Sequence, residues 1–550
     1  MLLPPRIDDY VGPDNAVRGI EAYVDALDLI KLGFRHAERV IGAGQPPYDP
    51  ADLLKLYLYG YLNQIRSSRR LEREAGRNIE LMWLLGRLVP GYRTIAKFRA
   101  ENAAPLRQIN RDFVLILRQL GLVGGAMVAI DGAFFDGNAS KASIVTRDRL
   151  AARLAKLDGK IADVASEIAA AQSEAEAYVA ALDANDAAET DAAQTDAAQT
   201  DAAQTDAEAA AAAGRHAALL AQRAAAVADV ARLEASGQTQ LSRTDPDARL
   251  LTKTGQSVSG YNVQIAVDAA HKLIVAAEAV SDGNDTGQLH AMAQAARDAM
   301  GVDTLQAVAD VGYYNGETLK ACEEDGIEAF VPEPDRSKRL DKQGRFARDA
   351  FAYEAAADAY RCPAGELLAA MRGGRTDVTG KWRIKYASRR SVCTRCALRG
   401  KCLSAKASRR VIERWEHDAV IERHRARMAG ADNVMQRRKE LAEHPFGTLK
   451  CRAGYRHFLV RGLTKVRGEL GLMVLCYNFT RLLNIIGLEK LIAWLAAWSL
   501  WLEIWPPRVV APALRRVLAG FYRRSNQMPA PTGRPTGCPA PPHGHARLAA

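Results

Sequence analysis

Two short apolar runs, Ala126-Met127-Val128-Ala129-Ile130 and Leu305-Gln306-Ala307-Val308-Ala309, are each followed directly by an aspartate, Asp131 and Asp310. Apolar, partly β-branched runs of this length predict strands, each ending where its acid can reach a site. A third carboxylate stands in Glu443-His444-Pro445-Phe446-Gly447-Thr448-Leu449-Lys450, where helical spacing puts Glu443 and Lys450 on one face with Lys439 one turn earlier. Two strand-end aspartates and a helical glutamate among lysines suit metal-ion phosphoryl transfer. Hard oxygen ligands hold Mg²⁺, the metals stabilise the attacking and leaving oxygens, and the lysines meet phosphates.

Residues 1–120 read as helical. Asp49 is placed to cap a helix with Pro50 at its first position, and Leu53, Leu54, Tyr57, Leu58 and Tyr61 follow at helical spacing. Ser67 or Ser68 can cap a second helix, and Thr94 a third, Ile95 to Glu101, which carries Lys97 and Arg99. These helices are compatible with a helix-turn-helix, and equally with a plain bundle whose cations face water.

Strand signals occupy residues 121–144 and 245–344. Tyr261 to Val267 and Leu273 to Ala277 predict a hairpin turning at Asp268 to Lys272. Asp285 is placed to cap a helix that ends at Gly301, and Ile327 to Val331 predicts a further strand. Strands alternating with helices predict an α/β core, a mixed sheet with helices on its faces. Residues 411–490 return to helix, over Arg410 to Lys450 and Glu469 to Ile486. Residues 491–505 predict an apolar helix too short to span a bilayer, and the Pro-, Gly- and Arg-rich tail 506–550 predicts disorder.

Two insertions interrupt the core. Residues 145–244 are Ala-rich with helical periodicity in both halves, predicting an antiparallel helical hairpin. Its middle, Thr190 to Ala207, repeats Thr-Asp-Ala-Ala-Gln, an expansion tolerated at a solvated tip. Residues 345–410 hold Cys362, Cys393, Cys396 and Cys402. Four thiolates built around a Cys-x2-Cys can close a tetrahedral Zn²⁺ site, with four reduced structural thiols as the alternative.

Hydrophobic residues make up 48% of the 550, which suits several packed domains and excludes global disorder. The net charge of +11 favours a polyanionic partner, and its distribution sharpens the point. Residues 361–410 hold fourteen Lys or Arg against two acids, while residues 161–212 hold twelve acids and no Lys or Arg. Met1-Leu2-Leu3-Pro4-Pro5 lacks the basic start and apolar core of a secretion signal, so a cytoplasmic location with reduced thiols is expected.

On these residues the chain resembles bacterial insertion-sequence transposases of the DDE type, in the branch whose third motif reads Tyr-x2-Arg-x3-Glu-x6-Lys. Glu443-x6-Lys450 fits that motif; Lys439 stands at its Arg and Gln436 at its Tyr, with Arg437 and Arg438 adjacent. The Lys keeps the cation and loses the bidentate fork. Further blocks run from Tyr48-Asp49-Pro50 to Trp83, from Thr94 to Arg99, at Gly260-Tyr261-Asn262-Val263-Gln264 and at Tyr477-Asn478. The resemblance covers roughly residues 1–490. It implies a ribonuclease-H-like core, end binding by the N-terminal domain, and Asp131, Asp310 and Glu443 as catalytic residues holding Mg²⁺ or Mn²⁺. It also implies DNA contacts at Lys97, Arg99, Arg438, Lys439 and Lys450. Its implied partners are double-stranded DNA, as element ends and target, and further copies of the chain at the nucleoid, with no membrane. The implied reaction is hydrolytic strand cleavage followed by attack of the freed 3′-hydroxyl on target DNA. An inactive DNA-binding remnant, and a nuclease that cuts without joining, are the alternatives.

Overall fold

The structure is a computed structural model and describes residues 6–38, 46–185, 192–253, 255–335, 342–378, 380–431 and 433–504. The expected disordered tail lies outside them, as does part of the Thr-Asp-Ala-Ala-Gln repeat.

Helices α1 (Ala16–Asp25), α2 (Pro50–Leu62), α3 (Ser68–Ala75), α4 (Ile79–Leu84), α5 (Tyr92–Glu101) and α6 (Ala103–Gln119) come first. The Asp49 carboxylate accepts from Ala51 N at 2.8 Å with Pro50 at the first position, as the sequence predicts. Thr94 is not a cap. Gly91, extended after Pro90, lets the helix begin at Tyr92 and leaves Thr94 inside its first turn.

The main sheet is built from β1 (Met127–Asp136) and strands from a later stretch. Between them, β2 (Ile144–Thr146), α7 (Arg147–Asn185), α8 (Ala192–Ser236) and β3 (Gln240–Ser242) form a helical hairpin on a two-stranded base. Val145, Leu150 and Leu233 pack at that base. The chain then gives β4 (Arg249–Lys253), β5 (Gln256–Asp268), β6 (Ile274–Val280), α9 (Leu289–Met300), β7 (Leu305–Val308), α10 (Gly316–Glu324) and β8 (Ile327–Phe330). The hairpin expected at Asp268 is present, its carboxylate accepting from Ala270 N and His271 N. Gly301 closes α9 in the left-handed conformation that favours glycine.

In space the strands run β4-β5-β1-β7-β8, with β6 also paired to β5. β5 is antiparallel to β1 and β6 to β5, whereas β7 is parallel to β1 and β8 to β7. The sheet is therefore mixed, with α9 and α10 as crossovers between its parallel strands.

A second, antiparallel sheet, β9 (Ala352–Glu354), β10 (Ala359–Arg361), β11 (Leu367–Thr376), β12 (Trp382–Ala387) and β13 (Val411–Trp415), has its own small core. Short helices α11 (Arg390–Arg395) and α12 (Arg399–Cys402) lie between β12 and β13. Residues 411–415 were expected to start a helix. They form a strand instead because Val411 and Ile412 continue the ladder with Ala387 and Tyr386, so this sheet runs past residue 410.

The chain ends its described part with α13 (Asp418–Ala429), α14 (Val434–Gly447), a π-helical turn at Thr448–Arg452, α15 (Leu463–Ile486) and α16 (Leu488–Ile504). Among the described residues α15 alone is long and apolar enough to cross a membrane, and 67% of its apolar window is buried inside the fold. It packs on α6, α2 and β6 as a core helix.

Within α15, Glu469 is fully buried. Its Oε1 meets Arg66 at 3.0 Å, Arg99 at 3.5 Å and the Tyr61 hydroxyl at 2.9 Å, while Oε2 accepts from Leu459 N at 2.8 Å. Burial pushes the carboxyl up, but Arg99 and Arg66 outweigh it and hold it below its usual value. Its contribution to stability is thus complete above the ordinary carboxylate range and lost as pH falls through the lowered value. This cluster ties the N-terminal helices to the core. Glu469→Ala should cost about 3–5 kcal/mol in urea denaturation, because two buried cations lose their partner. A loss below about 1 kcal/mol would show that the guanidiniums reach water and that the cluster is dispensable.

Candidate active site

Asp131 was expected at a strand end and lies within β1 instead, because β5 pairs with β1 as far as Asp136. Its neighbour on the other side departs sooner: β7 pairs with β1 only from Met127 to Ala129. Asp131 therefore sits where one edge of the strand opens. Asp310 follows β7 and turns the chain, its carboxylate accepting from Gly312 N at 2.8 Å.

The two aspartates meet at Arg438 on α14. Its Nη2 is 2.8 Å from Asp131 Oδ1 and 3.6 Å from Asp310 Oδ2, and its side chain is only 12% exposed. Arg438 was expected to contact DNA. Its place on α14 overrides that: Leu441, Ala442 and Pro445 bury the helix face it shares, which turns the guanidinium toward the sheet.

Glu443 does not join them. It follows Ala442 on α14, about 140° around the helix from Arg438, and is exposed. Among the described residues no three His, Cys, Asp or Glu side chains stand close enough to hold a metal ion. Lys439 is also exposed, whereas Lys450 donates to Phe134 O at 2.7 Å and lies over the Phe135 ring. Lys97 is exposed on α5, paired loosely with Glu101 at 3.8 Å. Arg99 is 5% exposed and committed to Tyr61 and Glu469, so it cannot reach DNA as expected; it lies on the inner face of α5 with Ile95 and Phe98.

Sequence reasoning assigned Asp285 to a helix cap. In the structure Gln288 holds the N-cap position of α9, and Asp285 is 8% exposed beside the aspartate pair. Asn262 Nδ2 and Gln264 Nε2 donate to its Oδ1 at 2.8 and 2.7 Å, and the Tyr313 hydroxyl donates to Gln264 Oε1. Burial, then Asp285, Asp131 and Asp310, push the Tyr313 hydroxyl far above its usual value, so all three acids lie within electrostatic reach of one phenol. The Gly260-Tyr261-Asn262-Val263-Gln264 block was the available signal, since polar residues within a buried strand need partners.

Beside Glu443, His444 Nδ1 lies 3.1 Å from the Tyr477 hydroxyl, which donates to Lys272 O. Burial, with Arg481, Lys272 and Arg452 nearby, lowers the imidazole below its usual value. In the second sheet, Cys362, Cys393, Cys396 and Cys402 line one cleft with Arg395, Arg399 and Arg410. Burial raises the Cys402 thiol; Arg410 opposes this, and the other three cysteines add to it.

Residues 5–101 match the family model described as Transposase domain (DUF772), and residues 361–483 the one described as Transposase DDE domain. The second match takes in the cysteine cleft, α14 and most of α15; Asp131 and Asp310 lie outside it. No curated protein matches the sequence. A solved piggyBac transposase synaptic complex with hairpin DNA is similar over 92% of this chain and 82% of that chain, at 8% identity and a TM-score of 0.26, a likeness too loose to carry an argument. Both matched models are transposase domains. Neither match spans half of the chain, and the second is of the DDE type.

Proposed function

We propose that this chain is a DDE transposase of an insertion sequence, which binds the ends of its element, cuts them, and joins the freed 3′-hydroxyl to target DNA at a centre built on Asp131, Asp310 and Glu443. One observation carries the reading: two carboxylates from distant parts of the chain share a single cationic group, Arg438 Nη2. Groups that share a guanidinium also suit Mg²⁺ or Mn²⁺, since both offer hard oxygens at one point. When bound, the metal supplies the charge that stabilises the attacking and leaving oxygens. The strand order supports a ribonuclease-H-like core, with three antiparallel strands, β6-β5-β1, continued by parallel β7 and β8.

Asp131 and Asp310 orient the reacting phosphate through that centre. Arg438 neutralises the pair in its absence, and Glu443 would be the third ligand that the family motif implies. Lys439 and the exposed Arg389, Arg390 and Arg395 of the second sheet's module meet DNA phosphates, and Lys97 faces outward where an element end can dock. Several copies act together at the nucleoid, because both element ends must be held in one complex. The outward face of Glu443, and Lys439 at the motif's Arg, favour a second reading, a chain that binds DNA without cutting it.

The cysteine cleft is proposed as a structural Zn²⁺ site, whose four thiols line one cleft without gathering at one point here and would draw together on the ion. Four thiols on one cleft support this, as does the turn at Cys362, where Gly365 N donates to Cys362 O at 2.8 Å. Elemental analysis of purified protein should return about one zinc per chain. No zinc, with all four thiols titrating freely, would contradict the site.

Glu443→Gln should lower strand cleavage at least about a hundredfold in Mg²⁺ on DNA carrying the element ends, while leaving DNA binding intact. Lys450→Ala should weaken cleavage only partly, and Lys439→Arg should leave it equal or improved. Wild-type cleavage by Glu443→Gln would place the third ligand elsewhere. No cleavage or joining by the unaltered chain would favour the second reading.

A further inference from the structure

Asp285 lies between β6 and α9, in neither, and accepts from two side chains of β5. Asn262 and Gln264 on β5 fix one of its oxygens, and Tyr313, from the turn that follows Asp310, fixes Gln264. The fourth neighbour is β1 itself. A Cβ on Gly132, the residue after Asp131, would lie 2.5 Å from Gln264 Nε2, 2.7 Å from Asp285 Oδ1 and 3.0 Å from the Tyr313 hydroxyl. Only a glycine leaves room there for this cluster. The other oxygen faces the Asp310 turn: a Cβ on Gly312 would lie 2.9 Å from Asp310 Oδ1 and 3.7 Å from Asp285 Oδ2. Asn262, fully buried, keeps an Oδ1 with no hydrogen-bond partner among the described residues, so the network is built around its donors.

We infer that Asp285 is a positioning residue of the proposed metal centre: its fixed negative charge, wedged against the backbone that carries Asp131 and Asp310, sets the affinity with which that pair takes a divalent cation. The inference rests on the metal-centre reading. The physical basis is Coulombic. A carboxylate a few ångströms behind two others, in a poorly solvated place, raises the field any bound cation feels. It also raises the repulsion that an empty pair must bear, which Arg438 relieves. A purely structural network asks only for an acceptor of the two amide donors, and a neutral amide oxygen serves that equally well.

Asp285→Asn separates these roles, since it keeps shape and acceptor and removes charge. The measurement is calorimetric titration of the full chain with Mn²⁺, a hard cation that does not favour the thiol cleft. The Kd for Mn²⁺ should rise about tenfold or more, with the metal-free melting temperature no lower than that of the unaltered chain and DNA binding unchanged. Asp131→Asn, titrated alongside, should abolish the same binding event. Wild-type Mn²⁺ affinity in Asp285→Asn, with binding lost in Asp131→Asn, would overturn the role of Asp285 alone. Wild-type affinity in Asp131→Asn would overturn the metal-centre reading itself. Should Asp285→Asn fail to fold, the smaller neutral Asp285→Ser carries the same test.

Discussion

Asp131 and Asp310 carry like charges, and holding them at one end of a sheet costs electrostatic energy unless a cation stands between them. Arg438 supplies that cation, and several features of the fold serve to deliver it. Helix α14 lies along β1, fixed by the inward faces of Leu441, Ala442, Pro445 and Phe446. Strand β7 releases β1 after Ala129, which opens the edge at Asp131. Arg438 Nε is buried without a hydrogen bond among the described residues, so the guanidinium is only partly satisfied by the acids it joins. A cation held by charge rather than by a full set of hydrogen bonds is one that a divalent metal can replace.

Buried hydrogen bonds tie the elements behind this end of the sheet together. Asn478 on α15 clamps β6 from both sides, accepting from Ile274 N and donating to Ile274 O. Tyr477 binds Lys272 O and faces His444, so the Tyr-Asn pair ties the hairpin turn, α14 and the core helix together. Glu469 does the same for the N-terminal helices through Arg66 and Arg99. The N-terminal helices and the main sheet thereby share α15 through buried polar contacts.

Local chemistry was legible in the sequence where it decides the outcome alone. Asp49-Pro50 starts a helix, Gly301 ends one, and the apolar runs at Tyr261 and Leu273 pair around Asp268, each from short-range capping or turn rules. What depends on pairing between distant segments was not legible. Asp131 reads as a strand end because its own run stops, yet β5 carries the ladder onward to Asp136. Val411 and Ile412 sit beside a helical stretch and become a strand only because β12 offers an edge. Arg99 and Arg438 look like surface cations until the helix face that carries each is known. Asp285 shows the limit most clearly: an acid a few residues before a helix satisfies the capping rule, while its actual partners, Asn262, Gln264 and Tyr313, come from elsewhere in the chain.

In the proposed centre Asp131 and Asp310 share one divalent cation at the place Arg438 now occupies. Replacing Mg²⁺ with Fe²⁺ and generating hydroxyl radicals from the bound iron tests this directly, because radicals cut the backbone nearest the metal. Cuts are expected to concentrate around residues 131 and 310 and to be absent in Asp131→Asn. Cuts spread evenly along the chain, or confined to the cysteine cleft, would contradict it.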